Sequence, residues 1–210
     1  MVAKKKIKIA ISKGSLLVGA IEFLKEKNVE ILGLDNKRKL ILETKLPKGF
    51  GFDEIEILLV RGHDVPIYVD HGAADLGIVG SDVILDSKTN VIQLKDLDYG
   101  QCRLCVCAPK GKFKSLSDLP SYTRVATTFP VISKDFFDKQ GLDIEIINLY
   151  GSVELGPLTG LSDVIVDLVA SGKTLEENGL EVIHEIMPCT ARLIASQAAF
   201  KLYKKELLSL

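Results

Sequence analysis

Several residue types are scarce in this chain, and each scarcity excludes a class of protein. The 210 residues contain no tryptophan, two methionines and four cysteines, and aromatic residues make up 6% of the total. Four cysteines are too few for a disulfide-stapled secreted scaffold of this length. Neither charge is in excess, since 27 lysines and arginines stand against 28 aspartates and glutamates. That balance argues against a general nucleic-acid or membrane-surface binder.

Long apolar runs are also missing. No stretch approaches the roughly 18 residues of a membrane span. The basic start Met-Val-Ala-Lys-Lys-Lys leads into the short strand-like segment Ile7–Ile11 rather than into a signal-peptide core. We therefore expect a cytoplasmic protein that acts on neither nucleic acid nor membrane. Hydrophobic residues reach 47%, which is enough to build the core of one ordinary domain or of two small lobes.

Three of the cysteines lie close together, in a C-x2-C-x-C pattern formed by Cys102, Cys105 and Cys107. Such spacing is also found in metal sites. In a strand, however, Cys105 and Cys107 point to one face and Cys102 to the other. No fourth ligand follows at zinc-finger spacing. We favour packing over metal binding, because free cysteines are commonly buried.

Strand and helix patterns alternate along nearly the whole chain, which predicts an α/β fold. Two segments repeat a pattern in which a glycine and an aspartate lead into a buried strand, namely residues 72–79 and 160–166. This pattern fits two similar lobes, and it equally fits any ordinary junction between a helix and a strand. The absence of a Ser/Gly/Pro-rich linker favours two lobes joined by strands, with a ligand-binding cleft between them. We predict that the first lobe comprises residues 1–98 and 184–210, and the second residues 99–183.

The most informative segment follows the predicted strand Asp163–Val166. It contains Asp167 and then a small-residue turn that opens a helix. Backbone N–H groups at such a turn bind phosphate. Carboxylates four residues apart suit a ribose diol, because each accepts hydrogen bonds from hydroxyl groups. The segment therefore predicts a 5-phosphoribosyl site made of Asp163, Asp167, Ala170, Ser171, Gly172, Lys173 and Thr174.

Two other interpretations of this segment are a nucleotide P-loop and a capped helix. The nucleotide P-loop pattern requires a glycine at the position of Asp167, so that pattern fails. A capped helix with an exposed lysine and two surface aspartates fits the same residues and remains open.

Four segments resemble the catalytic subunit of ATP phosphoribosyltransferase in its short form. They are DVPIYVDHGAADLGIVGSDV (64–83), YGQCRLCVCAPK (99–110), RVATTFP (124–130) and YGSVELGPLTGLSDVIVDLVASGKTLEENGL (150–180). The resemblance extends over almost the whole chain. It implies a two-lobed fold like that of periplasmic binding proteins. It also implies attack by N1 of the ATP adenine on C1 of phosphoribosyl pyrophosphate, with Mg2+ carried by the substrate and release of pyrophosphate.

The resemblance also implies catalytic roles and an ATP site. Asp167 and Glu154 are expected at the reacting ribose, although Glu154 equally fits a helix-capping role. The ATP site is expected at Lys13, Gly14, Arg61, Asp64, Asp75, Asp82 and Arg103. Ordinary surface ion pairs would leave the same pattern at some of these positions.

Two positions depart from the family pattern, because Ser15 and Thr128 stand where an arginine and a lysine are usual. The ATP half of the site is therefore less well defined than the phosphoribosyl half. Long forms of the enzyme carry a C-terminal histidine-binding domain. Because the sequence ends at Leu210, we expect a separate regulatory subunit resembling histidyl-tRNA synthetase, and thus a hetero-oligomer. The alternatives are a non-enzymatic binding protein of the same fold and a phosphoribosyltransferase with another base.

Overall fold

The fold is described from a computed structural model, which covers residues 5–36 and 38–210. The chain forms two compact units, each with its own β-sheet. The first unit runs to Gly100 and resumes over Thr190–Leu210, and the second is Gln101–Cys189. Residues 99 and 100, predicted in the second lobe, therefore lie in the first unit, and residues 184–189, predicted in the first lobe, lie in the second. The reason is that residues 184–189 continue a long strand paired along its whole length with a neighbour in the second unit.

The first unit is built on a seven-stranded mixed sheet in the order β2-β3-β4-β1-β5-β12-β6. Strands β4, β1 and β5 are parallel, and β12 returns from the C-terminal part of the chain to lie antiparallel between β5 and β6. The strands are β1 (Lys6–Ser12), β2 (Glu30–Leu32), β3 (Ile41–Lys45), β4 (Glu54–Val60), β5 (Leu76–Gly80), β6 (Ile92–Asp96) and β12 (Ala191–Ala195).

The second unit has a five-stranded sheet in the order β11-β7-β10-β8-β9. Strands β10, β8 and β9 are parallel, whereas β7 is antiparallel to both β10 and β11. The strands are β7 (Cys102–Pro109), β8 (Thr123–Thr127), β9 (Ile144–Asn148), β10 (Val164–Val169) and β11 (Leu180–Cys189).

Helices cover the sheets and connect the parallel strands, as an α/β fold requires. Helix α1 illustrates the pattern, since its apolar residues Ala20 and Leu24 are buried against the first sheet. The helices are α1 (Ser15–Glu26), α2 (Val65–Asp70), α3 (Ser81–Ser87), α4 (Pro130–Lys139), α5 (Leu155–Leu158), α6 (Lys173–Glu177) and α7 (Gln197–Leu207). Among the described residues, no helix has the length and apolar character needed to cross a bilayer.

The repeated Gly–Asp pattern has a structural explanation in both units. Asp75 precedes β5, and its Oδ2 accepts a 2.8 Å hydrogen bond from Lys8 N–H at the start of the adjacent parallel strand. Asp163 precedes β10, and its Oδ2 accepts a 3.1 Å hydrogen bond from Arg124 N–H, which likewise lies near the start of the adjacent parallel strand β8. Each aspartate N–H also donates to the carbonyl of that same partner, at 2.9 Å in both cases. The two carboxylates therefore fasten the amino ends of neighbouring strands.

Candidate functional site

A pocket of about 170 Å3 lies where β10 ends and α6 begins. Ligands of open α/β sheets bind at the carboxyl ends of parallel strands, and this pocket is at that edge of the second sheet. Asp167 projects into it from β10, and Glu154 approaches from the segment before α5. The lining residues are Glu154, Asp167, Leu168, Val169, Ala170, Ser171, Gly172, Thr174 and Leu175.

Asp167 belongs to the strand itself, which continues to Val169 and not only to the predicted Val166. On its face of β10 the neighbouring positions are the buried apolar residues Ile165 and Val169. Burial raises the pKa of the Asp167 carboxyl to about 6. A 2.8 Å hydrogen bond from Leu168 N–H to Asp167 Oδ1 opposes that shift, and the nearby Glu154 carboxylate adds to it. The pocket thus holds two carboxyl groups, of which Asp167 has a raised pKa.

The turn after β10 has the features of a phosphate cradle. Gly172 has φ +77°, a left-handed conformation that favours glycine. The N–H groups of Ser171 and Gly172 donate to no acceptor among the described residues, and successive backbone amides in such a turn form an anion-binding concavity. The hydroxyl-bearing Thr174 lines the same pocket, whereas Lys173 is exposed beside it.

Asp163 is not brought to this pocket. A strand rises about 3.3 Å per residue, so four residues separate Asp163 from Asp167 by about 13 Å along β10. Asp163 instead pairs with Arg124, whose Nε lies 3.1 Å from Oδ2 and whose Nη2 lies 3.2 Å from Oδ1. Lys112 Nζ is 3.6 Å from Oδ1. These cations, Arg124 first, lower the pKa of Asp163. Asp163 and Asp167 therefore do not hydrogen-bond to the same ribose diol.

In the first unit, several of the residues expected at ATP lie together at the carboxyl edge of its parallel strands. Lys13 and Gly14 follow β1, and Arg61 follows the adjacent β4. The two loops are in contact, because Lys13 N–H donates to Val60 O at 3.0 Å and a Cβ on Gly62 would lie 3.2 Å from Ser12 Oγ. Gly14 has φ +102° at the start of α1. This places two exposed cations on one sheet edge.

Asp82 follows β5 at that same edge, in the first turn of α3, and is only 3% exposed. Burial raises the pKa of its carboxyl, while hydrogen bonds from the backbone N–H groups of Asp82 and Val83 lower it. The charge of His63, in the turn Gly62–Asp64, also lowers it. Asp64 ends that turn and remains exposed.

Two of the expected ATP residues lie elsewhere. Asp75 is at the amino edge of the first sheet, engaged with Lys8 as described above. Arg103 belongs to β7 of the second unit, where its Nη1 donates to Glu185 Oε2 at 3.1 Å. No sequence signal points to Glu185, because it lies 82 residues away and is found only through the strand pairing.

Among the described residues, no three histidine, cysteine, aspartate or glutamate side chains converge as metal ligands. None of the four cysteines forms a disulfide, and all except Cys102 are buried. Cys105 and Cys107 pack in the core of the second unit. Burial raises the pKa of Cys107 to about 12, which leaves its thiol protonated.

Comparison with known proteins identifies the family of this chain. The model of the family HisG, ATP phosphoribosyltransferase, matches residues 61–210. The chain belongs to this family. An ATP phosphoribosyltransferase from Syntrophomonas wolfei is 44% identical over 194 residues, covering 92% of this chain and 87% of that protein. One from Halothermothrix orenii is 41% identical and covers 97% and 90% of the two chains. The resemblance inferred from the sequence motifs is confirmed.

Solved structures give the same result for the fold. A chain of the ATP phosphoribosyl transferase (HisG:HisZ) complex from Thermotoga maritima matches with a TM-score of 0.80 and 32% identity, covering 97% of this chain and 94% of that one. The alkanesulfonate-binding protein SsuA from Xanthomonas axonopodis matches with a TM-score of 0.57 and 12% identity, covering 100% and 71%. This second match concerns the fold alone. The predicted α/β fold of the periplasmic-binding-protein type is confirmed.

Proposed function

We propose that this chain transfers the 5-phosphoribosyl group of phosphoribosyl pyrophosphate to N1 of the ATP adenine, releasing pyrophosphate. This is the first step of histidine biosynthesis. The observation that carries the proposal is the pocket at the end of β10, where two carboxylates and a turn with free amides line one cavity. Family membership supports the same reaction.

The residues of the pocket have complementary roles in this proposal. Amides of the turn 170–172 and the Thr174 hydroxyl hold the 5-phosphate, and Asp167 and Glu154 accept hydrogen bonds from the ribose hydroxyls. Positive charge develops at C1 as the bond to pyrophosphate breaks. A carboxylate held in an apolar setting stabilises such charge more strongly than one in water. Lys13, Gly14 and Arg61 of the first unit are proposed to bind phosphates of ATP.

Mg2+ is proposed to arrive with phosphoribosyl pyrophosphate. Hard cations of this kind prefer oxygen ligands, and Glu154 and Asp167 supply carboxylate oxygens on one cavity. When bound, the ion would neutralise negative charge on the pyrophosphate. The two carboxylates would keep their main task of orienting the ribose.

A partner subunit is part of the proposal. The matched chain from Thermotoga maritima comes from a HisG:HisZ complex, and this chain covers most of its length. We propose that a synthetase-like regulatory subunit joins this chain in a hetero-oligomer, and that the assembly works in the cytoplasm.

The phosphate turn gives a direct test through Thr174→Ala. Losing one hydroxyl donor to a charged phosphate should weaken binding of phosphoribosyl pyrophosphate about ten- to a hundredfold. ATP affinity should stay within about twofold, because the turn lies in the second unit. Calorimetric titration with each substrate measures both. Thr159→Ala is the matched control, since Thr159 Oγ1 donates to Leu155 O at 2.8 Å and lines no part of the pocket. Equal loss for both substrates would contradict the assignment.

A further inference from the structure

The pocket has a charge imbalance for the ligand proposed above. Its described lining residues include two carboxylates, Glu154 and Asp167, and no lysine or arginine. Phosphoribosyl pyrophosphate carries a 5-phosphate and a pyrophosphate, which are both strongly anionic. The turn amides and Thr174 provide donors for one phosphate group. The proposed Mg2+ would neutralise only part of the pyrophosphate charge, and a protein cation beside the pocket could bind the rest.

Arg103 is placed to supply that cation. In the β7–β10 pairing, Arg103 lies directly opposite Val169, and Cys105 lies opposite Asp167. Directly opposed residues share a face of the sheet. Arg103 therefore lies on the same face as Asp167, two residue pairs closer to the phosphate turn. Its side chain is 47% exposed, so its guanidinium is accessible to a ligand.

Three other cations of the second unit are engaged away from the pocket, whereas Lys173 is exposed in the turn proposed to hold the 5-phosphate. Arg124 and Lys112 are held by Asp163 at the opposite end of β10. Lys134 pairs with Asp138 along helix α4. Unlike these three residues, Arg103 lies on the strand face beside the pocket.

Glu185 holds Arg103 in this place. The 3.1 Å contact joins Arg103 Nη1 to Glu185 Oε2, and Glu185 lies opposite Cys105 in the β11–β7 pairing. Asp167, Cys105 and Glu185 therefore form one row across three neighbouring strands. Because guanidinium has five N–H donors, an ion pair through Nη1 leaves the others for a ligand.

We infer that Arg103 binds the pyrophosphate group of the substrate and that Glu185 positions the Arg103 guanidinium. This inference rests on the proposed function and refines it. As the adenine N1 lone pair forms the new bond to C1, the electron pair of the C1–O bond leaves with pyrophosphate. Arg103 would stabilise the charge that develops on that leaving oxygen. A planar, bidentate donor suits a phosphate group better than a lysine does.

The binding test uses inorganic pyrophosphate, ribose 5-phosphate and ATP as separate probes of the full chain. Arg103→Ala should weaken pyrophosphate binding about ten- to a hundredfold, the range for hydrogen bonds to a charged group. Arg103→Lys should fall between, since it keeps the charge and loses the planar fork. Ribose 5-phosphate and ATP affinities should change less than about twofold. Lys134→Ala, which removes an exposed cation from the same unit, is the control and should change none of them.

Glu185 is tested through its dependence on Arg103. Glu185→Ala should weaken pyrophosphate binding about two- to fivefold, the size of a half-exposed ion pair. Glu185→Gln keeps an acceptor for Arg103 and should bind pyrophosphate no more weakly than the unaltered chain. In the Arg103→Ala background, Glu185→Ala should cause no further weakening. A loss that persists without Arg103 would show that Glu185 acts through folding and would overturn its positioning role.

The outcomes separate this inference from the proposed function. If Arg103→Ala lowers ATP or ribose 5-phosphate affinity instead of pyrophosphate affinity, the guanidinium serves another phosphate and the inference is wrong. If pyrophosphate affinity survives while the unaltered chain, with its partner, still makes phosphoribosyl-ATP, the inference alone fails. If pyrophosphate affinity falls as expected but no phosphoribosyl-ATP is formed, the proposed reaction fails and the pyrophosphate site stands.

Discussion

At the scale of single residues, ionisation of the Asp167 carboxyl serves the proposed ligand binding but lowers the stability of the fold. Its pKa of about 6 lies above the ordinary value of 3.8 because burial disfavours the charged form. The folded state therefore holds this proton more tightly than the unfolded chain does. Ionising the carboxyl weakens the fold progressively as pH rises from about 4 to about 6, and the penalty then stays constant.

This conflict predicts opposite effects of Asp167→Asn on stability and on turnover. Removing the ionisable group should raise the free energy of unfolding at neutral pH by up to about 3 kcal/mol, and by roughly half of that at pH 5. Turnover should fall, because the charge facing the ribose is lost. Denaturant titrations at both pH values, together with product assays, measure the two effects.

Asp163→Asn is the control on the same strand. The pKa of Asp163 is lowered by Arg124, so its stabilisation is present above the ordinary pKa and fades as pH falls through the lowered folded value. This variant should be less stable at neutral pH. A pH-independent gain from Asp167→Asn would contradict the burial argument.

From the residues themselves, without the family resemblance, the candidate site could be predicted mainly where its residues are neighbours in the chain. The turn 170–174 was recognisable because small residues after an apolar run have a local conformational cause. The sequence grouped Asp163 with Asp167 in one site. Because β10 continues to Val169, Asp163 stands before the start of the strand and Asp167 lies near its end, so the two side chains are far apart. Glu185 was missed because only strand pairing brings it to Arg103.

At the scale of elements, the predicted alternation of strands and helices is present in both units, and the sequence signal is weakest for strands at the edges of the first sheet. β2 and β6, at the two edges of the first sheet, were not predicted. β2 has three residues, too few for a periodic pattern. β6 alternates half-buried Ile92 and Leu94 with exposed Gln93 and Lys95, which is a detectable signal in a short segment.

Helix α1 gives a prediction in which packing outweighs helix propensity. The ring of Tyr99 lies against Gly19, at the position that a Cβ would occupy. Tyr99 Oη donates to Leu16 O at 3.2 Å, and burial raises the pKa of Tyr99 to about 12. Gly19→Ala should gain about 1 kcal/mol of helix propensity but lose about 1–3 kcal/mol to overpacking. We expect net destabilisation in thermal and denaturant unfolding.

The Tyr99→Ala background checks the cause. Without the ring, Gly19→Ala should become neutral or stabilising by up to about 1 kcal/mol, because only the propensity gain remains. If Gly19→Ala destabilises equally in both backgrounds, contact with Tyr99 is not the reason for the glycine.

At the scale of the whole molecule, the proposed partner predicts how regulation is divided. Histidine should inhibit the complex of this chain with its synthetase-like subunit, and should leave the isolated chain unaffected. Activity of the isolated chain should be low and should rise on adding that subunit. Product formation measured with and without the subunit, across a histidine titration, checks both expectations. Strong inhibition of the isolated chain by histidine would contradict this division.

The position of β12 has a consequence for how the chain folds during synthesis. The second unit is continuous in sequence, whereas the first requires Thr190–Leu210. Until β12 emerges from the ribosome, the first sheet stays open between β5 and β6, and β6 has no other strand partner among the described residues. An unpaired strand edge promotes association with other chains. The unit that begins first is thus the one that is completed last, and a nascent chain paused before residue 191 would leave the edges of β5 and β6 without the strand that joins them.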